Sequence, residues 1–194
     1  MLQDIVRARF PKAVTLRDGS PVTIRPLVGA DEPALLTFFR GIPEADRIFL
    51  KDDVTQAAVI AAWCRDLDYA RTLPLVAESE GALVGDATLH QRPTGWKRHV
   101  AKVRLVVAPA YRAMGLGGSL IRELMAVAEQ TDLEKLEAEF MVVQRTAIVA
   151  FQKLGFVQVA AVFPNHVKDL TGKAQDLLVL VRDLTPREEI AMPA

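Results

Sequence analysis

Hydrophobic positions along the chain change their period several times, and the changes outline alternating strands and helices. Val14-Thr-Leu16 and Pro21-Val-Thr-Ile-Arg25 flank Asp18-Gly19, a strong turn pair, and predict an opening hairpin. Asp31, with Pro33 in the first turn, predicts a capped helix carrying Leu35, Leu36, Phe38 and Phe39. Asp53 followed by Gln56 predicts the cap of a second helix ending near Arg65. Leu75 to Glu78 and Leu83 to His90 pair across Glu80-Gly81 as two strands, and Val100 to Val107 is a further strand stopped by Pro109. The segment Arg112 to Ser119 opens a helix running to about Gln130. Its Leu116, Leu120, Leu124 and Val127 recur every three or four positions and make one buried stripe. Leu136 to Val142 is a strand, Ala147 to Leu154 a short helix, and Phe156 to Phe163 another strand. Thr171-Gly-Lys173 precedes a last strand, Gln175 to Val181. The two tails, about residues 1–12 and 185–194, are weakly periodic and expected to be peripheral.

The order of elements predicts an α/β (α+β) architecture, with a mixed, mostly antiparallel sheet flanked by helices. One parallel strand–helix–strand crossover spans residues 100–142. The whole of 1–194 reads as a single domain with its core at about 14–182, and no internal repeat or low-complexity segment interrupts it. Composition adds mainly exclusions. Lys plus Arg and Asp plus Glu both number 24, so no net field favours nucleic acid or an anionic membrane surface. The only cysteine, Cys64, sits in an apolar helical run; it reads as a buried small hydrophobe and fits a reducing compartment. No apolar run approaches the roughly 18 residues a membrane helix needs, and the N-terminus has no signal-peptide core. A cytoplasmic protein is expected.

Candidate chemistry begins at the crossover. A strand ends, the chain turns through Arg112-x-x-Gly115-x-Gly117-Gly118, and a helix starts. Helix N-termini carry unpaired N–H groups and partial positive charge, so they receive phosphate. Glycine lets the backbone approach phosphate oxygens, Arg112 adds a cation, and Ser119 adds a hydroxyl. The plain alternative is a tight strand-to-helix turn with no ligand. A Walker loop is excluded because no lysine follows Gly118, and a dinucleotide fold is disfavoured because hairpins flank the single crossover.

A second motif follows, Ala147-Ile-x-x-Phe151-Gln-Lys-Leu-Gly155-Phe156. Together with Val107-Ala-Pro-Ala-Tyr111-Arg112-Ala-Met114-Gly115-Leu-Gly117 and the opening Val22-Thr-Ile-Arg-Pro-Leu27, it resembles the GNAT superfamily, the Gcn5-related N-acetyltransferases. The resemblance covers about residues 14–182. It implies an acetyl-CoA-dependent N-acyltransferase in which the amine attacks the thioester directly within a ternary complex. By the same resemblance, the CoA pyrophosphate would rest on amides from Arg112 through Met114, Gly115 and Gly117 to Gly118, with Ser119 beside it. Pantetheine would pair along Val106 and Val107, where the central strands part. The acceptor, a small-molecule or protein amine, would enter beneath the first two helices. Its pocket is expected from about Phe39 to Asp53, Gln91 to Arg98 and Pro164 to Thr171. A homodimer is left open.

Acyl transfer to an amine needs a base for the ammonium proton, a donor for the oxyanion and tolerance of a leaving thiolate. A backbone N–H near Val107 is the expected oxyanion donor. Glu139 is the first candidate for the base: it lies five residues before Gln144, where N-terminal-amine acetyltransferases of the superfamily resemble Glu-Val-x-x-x-Asn. Glu137, on the same strand face, is the reserve, and His90 could act through water. His99 and His166 read as surface or hydrogen-bonded histidines. The three histidines lack metal-ligand spacing, so no metal is expected. Two positions depart from the family pattern. Gln144 replaces an asparagine, and Phe151 replaces the tyrosine that in many members protonates the thiolate. That second departure supports a rival reading, a non-catalytic acyl-CoA-binding or sensory module of the same fold.

Overall fold

The structure is a computed structural model describing residues 2–184; residue 1 and the expected C-terminal tail, 185–194, lie outside the described residues. The chain opens with α1 (Leu2–Arg9) and the hairpin β1 (Lys12–Thr15) and β2 (Pro21–Pro26). Then come α2 (Glu32–Gly41), a single-turn α3 (Glu44–Arg47) and α4 (Ala57–Arg65). β3 (Thr72–Ser79), β4 (Ala82–His90) and β5 (Val100–Val107) form the centre, and α5 (Leu116–Ala128) returns the chain to β6 (Lys135–Met141). The last part comprises α6 (Arg145–Lys153), β7 (Val157–Gln158), β8 (Phe163–Lys168) and β9 (Ala174–Asp183).

These strands make one nine-stranded sheet in the order β1-β2-β3-β4-β5-β6-β9-β7, with β8 also on β9. Only β5 and β6 pair in parallel, and α5 is their crossover, so the mixed sheet has the expected form. Period-two alternation assigns each strand's side chains to two faces. Leu75, Ala77, Ala87, Leu89, Ala101 and Val103 pack with the buried stripe of α5. On the other face Val76 and Leu83 pack with Leu35, Phe39, Ile60 and Cys64 from α2 and α4. Cys64 is buried there, and burial pushes its thiol pKa up. Among the described residues no helix is long and apolar enough to cross a membrane.

Local predictions need several corrections. The N-terminal segment is not peripheral. Val6 and Phe10, four apart, sit in the main core, and α5's buried Glu123 accepts from Arg9 Nε and Lys12 Nζ at 2.6 Å each. Just over two helical turns offer too few apolar positions for a periodic signal. Asp31 does not cap α2: its oxygens receive Arg25 Nη1 and Nη2 at 2.7 and 2.8 Å and the Val28 amide at 2.8 Å. Asp53 likewise closes a local turn, accepting from Thr55 and Gln56 rather than capping α4. The strand expected from Phe156 to Phe163 is two strands with a break between, and His166, expected in a loop, lies on β8.

If the N-terminal segment belongs to the core, Phe10→Ala should lower the unfolding free energy by about 3 kcal/mol, within the range for deleting a buried aromatic ring. The measurement is the urea midpoint at fixed m-value. An unchanged midpoint would return residues 2–11 to the status of a loose tail.

Candidate active site

β5 and β6 pair over only three residues, Val100–Lys102 against Lys135–Glu137. Beyond them the strands diverge: β6 continues along β9 through Met141, while β5 remains on β4 through Val107. The Ala108 amide donates to Val84 O, so even-numbered residues of β5 direct their backbone groups to β4. Odd-numbered residues face the other way; the His99 carbonyl accordingly receives the Glu134 and Lys135 amides across to β6. By this alternation Val103, Leu105 and Val107 present N–H and C=O groups to the gap. At Val107, where pantetheine pairing was expected, the backbone groups face the gap. For Val106 the expectation needs correcting, because its backbone groups belong to β4 and only its side chain faces the cavity below.

At the end of β5 the chain turns into α5 through two left-handed residues, Ala113 at φ 60° and Gly115 at φ 94°. The first costs an alanine about 1 kcal/mol or more and persists only where surroundings hold it. They do: the Arg17 amide donates to Met114 O at 3.0 Å, and the Arg17 guanidinium reaches Ala113 O. Carbonyls of the turn are thereby occupied from behind. The first bond of the helix is Ser119 N–H to Gly115 O, so the amides of Leu116, Gly117 and Gly118 have no carbonyl within the helix to meet. Gly117 sits close to β5: a Cβ there would lie 3.0 Å from the Leu105 side-chain terminus, which would have to shift slightly to admit it. Three cations stand around this terminus: Arg17, Arg122 with a 3.3 Å bond to Ser119 Oγ, and Arg112. Arg112 is also a strut, donating to Val107 O at 3.0 Å and to Asp46 of α3 at 2.8 Å. Of the cations only Arg112 was anticipated from sequence; Arg17 and Arg122 carry no motif.

A cavity of about 520 Å³ opens where the strands part, between α2, α4, the 49–54 segment and the sheet. Its helical wall is apolar, with Leu35, Phe39, Leu50, Val54 and Trp63. Trp63 lines this space with its ring 5.9 Å from that of Phe39. Its sheet floor is polar: Asp86, Thr88 and His90 from β4, Arg104 from β5 and Glu139 from β6. Phe151, 3% exposed, lies between Phe140 and Phe156 with 5.0 Å centroid separations, and also lines the cavity. Gln144 lines it too, and its Oε1 accepts from the Met141 amide. Of the three segments expected to build the pocket, 39–53 contributes, while 91–98 and 164–171 do not line it. Glu137, His99 and His166 do not line it either. Among the described residues no group of His, Cys, Asp and Glu converges in a way that could hold a metal ion.

The ionisable groups on the floor differ sharply. Burial pushes Glu139 upward, but Lys102 and Lys51, each bonded to one of its oxygens, outweigh that and bring its pKa down to about 2. Such a carboxylate is ionised but occupied, and too weak to take an ammonium's proton readily; this counts against its expected role as base. Glu137 is held by Lys102 at 3.3 Å and Lys97 at 3.7 Å. His90 is lowered to about 4, by burial first and then by Arg104, Lys51 and Lys102, so it is neutral at pH 7. Its Nε2 is buried without a hydrogen-bond partner. Asp86, only 9% exposed, is raised to about 7 by burial; a 3.4 Å bond from Thr88 and the charge of Arg104 oppose the rise only in part. Sequence reading passed over Asp86, since a lone aspartate within an apolar strand carries no spacing signal. Its only clue was polarity at a position bounded by Val84, Ala87 and Leu89.

Comparison with known proteins agrees with this geometry. Residues 38–156 match the family described as the acetyltransferase (GNAT) family. The Bacillus subtilis (strain 168) protein YwnH, which carries the provisional name of a phosphinothricin acetyltransferase, is 29% identical over 114 residues, 57% of this chain and 68% of that protein. A ribosomal-protein-alanine N-acetyltransferase from Brucella melitensis superposes with a TM-score of 0.71 at 25% identity, covering 82% of this chain and 98% of that one. The yncA protein of Salmonella typhimurium, solved with its cofactor acetyl-CoA, gives 0.71 at 23% identity over 89% of this chain and 98% of that one.

The buried Asp86 makes a prediction about stability. A carboxyl whose folded pKa, about 7, exceeds its unfolded value of 3.8 stabilises the fold fully below the unfolded value. That contribution is lost as pH rises through the folded value. Asp86→Asn removes the titration, so the variant should gain on wild type from pH 4 to pH 8, by on the order of a few kcal/mol. Urea unfolding of both proteins across that window measures the gap. A gap independent of pH would mean that Asp86 is not buried as described.

Proposed function

The chain belongs to the GNAT family of acetyltransferases, and from that premise we propose that it moves an acetyl group from acetyl-CoA to an amine, with Asp86 as the general base. The observation that carries the reading is the coexistence of two features: a phosphate-receptive helix terminus after β5, and a strand gap that opens on a cavity whose floor holds a buried carboxyl of near-neutral pKa.

The residues present fit such a donor. Free amides at Leu116–Gly118, with Arg17, Arg112 and Arg122 around them, suit a pyrophosphate. The gap-facing groups of Val103 and Leu105 suit the amide groups of a pantetheine arm, which would add as a strand does. When bound, acetyl-CoA supplies an acetyl group activated as a thioester. The chain's own part is to position the amine, remove its proton and stabilise negative charge. Asp86 is ionised above pH about 7 and has no cation bonded to it, so it can accept the proton. The Val107 N–H, directed into the gap, is the donor nearest the end of β5 for a developing oxyanion. In the balanced reaction a C–N bond forms and the C–S bond breaks while nitrogen loses two protons: the ammonium proton leaves through Asp86 to solvent, and the second, lost as the C–N bond forms, passes by Asp86 to the departing thiolate.

Glu139 then has a positioning role, anchoring Lys51 of the 49–54 segment and Lys102 against the floor. His90, neutral, is left as a hydrogen-bonding group.

Two experiments test this. Acetyl-CoA should raise the melting temperature by binding only the folded state, and Gly117→Glu, which puts bulk and negative charge at the helix terminus, should erase the shift. Asp86→Asn should keep the shift but lower kcat by about 10²–10⁴-fold, whereas Glu139→Gln should cost less than about tenfold. Wild-type kcat/KM should rise with pH through about 7, as Asp86 ionises. Equal losses in the two variants, or a larger loss in Glu139→Gln, would return the base to Glu139.

A further inference from the structure

The acceptor side of the cavity has its own chemistry, independent of the donor side. Four buried side-chain nitrogens among the described residues lack a hydrogen-bond partner, and two of them, His90 Nε2 and Arg104 Nε, belong to neighbouring residues of β4 and β5 on the cavity floor. Buried orphans of this kind are rare, and a pair of them calls for a ligand or water to complete it. Arg104 is the cation with unspent capacity. Lys51 and Lys102 are bonded to Glu139, and Lys97 lies against Glu137. Arg104 has only Asp52, at 3.7 Å, beyond hydrogen-bond distance. A guanidinium offers five donors in a planar fork that receives a carboxylate in two bonds.

Position sharpens the chemistry. Thr88 pairs with Arg104 and Asp86 with Val106, so Asp86 and Arg104 are diagonal neighbours on one face. Diagonal partners of this kind lie about 7 Å apart or less between β-carbons. A molecule with an amine at Asp86 and an anion at Arg104 must therefore carry the two groups within a few bonds of each other. The opposite wall presents Leu35, Phe39, Leu50, Val54 and Trp63, with Asp52, Asp66 and Asp68 also lining the cavity on that side. A lysine side chain or a protein N-terminus would bring no carboxylate to Arg104, and an aminoglycoside would bring several cations to it.

We propose that the acceptor is a free α-amino acid with an apolar side chain, its carboxylate received by Arg104 and its side chain by the Phe39–Trp63 wall; this rests on the acetyltransferase reading above. The Nε2 of His90 and the Nε of Arg104 then gain partners from the same ligand.

The test uses the full chain saturated with acetyl-CoA. L-leucine, L-phenylalanine and L-methionine should be acetylated, and each should add a further thermal shift. Leucine amide, isoamylamine and phenethylamine, which keep the amine and the apolar group but lack the carboxylate, should show KM values at least about tenfold higher, the cost of one lost charge-assisted contact. Arg104→Gln should raise KM for leucine by about the same factor or more while leaving KM for isoamylamine within about twofold, and Arg104→Lys, which keeps charge without the fork, should fall between. A normal acetyl-CoA shift in Arg104→Gln excludes misfolding as the cause. Preference for the decarboxylated amines or for peptide N-termini, or no carboxylate-specific effect of Arg104→Gln, overturns the amino-acid assignment and leaves the acetyltransferase reading standing. Acetyl-CoA binding with no amine of any kind acetylated overturns both.

Discussion

The separation of two parallel strands after three paired residues is the constraint from which the site follows. A β-ladder normally satisfies every backbone group along both edges, and a buried group left without a partner costs about 1–3 kcal/mol. Here β6 pairs with β9 along its whole length, Lys135 to Met141, but only on its far edge. The deficit falls on the gap-facing edges of both strands: on β5 at Val103, Leu105 and Val107, where Arg112 recovers the Val107 carbonyl, and on β6 past Glu137, where Gln144 Oε1 recovers the Met141 amide. An edge so exposed inside a sheet is tolerable where something extended can occupy it. The same parting creates the space beneath, which the Phe140–Phe151–Phe156 stack closes on one side and the helices α2 and α4 on the other.

The floor of that space distributes its charges unequally, and the inequality has a geometric cause. On β6, Glu139 lies within reach of the lysines at 51 and 102, so both of its oxygens are claimed. On β4, Asp86 faces the valine of the opposite pair, Val106, and has only the Thr88 hydroxyl for company. Two carboxylates in one cavity are thereby driven to pKa values of about 2 and about 7. Divergence of this sort is how a single fold assigns one acid group to fix structure and another to move protons. Arg104 belongs to the same arrangement: its charge opposes the rise at Asp86 and helps to hold His90 neutral.

What the sequence makes legible is whatever repeats or is locally dictated. The stripe of α5, the Gly115–Gly118 turn and the strand ending at Pro109 are all periodic or glycine-punctuated, and the structure agrees with each to within a few residues. The parallel crossover was legible because only one strand–helix–strand unit stands among hairpins. Long-range pairings were not. Nothing local distinguishes Glu139 from Asp86; the difference lies in Lys51, 88 positions away in the chain, which reaches one and not the other. Arg17 supports the Ala113–Gly115 turn across 96 positions, and Glu123 holds the N-terminal helix from over a hundred positions away. Each of these depends on register between strands and helices that periodicity does not encode.

Phe151 is the feature that favours a binding module over an enzyme, and its surroundings weaken that argument. Its ring is packed between two other phenylalanines, an environment that would leave a tyrosine hydroxyl in need of a partner. Neither tyrosine of the chain lines the cavity; Tyr69 is committed to the Leu27 carbonyl, and Tyr111 sits in the turn after β5. The question is then whether the thiolate needs a dedicated acid. A simple thiol has a pKa of about 8.5, and Asp86, once protonated, has one of about 7. Passing the proton from Asp86 to the departing sulfur is downhill by about 2 kcal/mol at that difference. Of the two protons the nitrogen gives up, one goes to solvent and the other is the one the thiolate requires, so one carboxyl of intermediate pKa can serve both ends of the transfer. With Asp86 as the proposed base, acyl transfer would therefore not require the phenol that Phe151 lacks; it would require that Asp86 stay buried, unpaired and close to neutral.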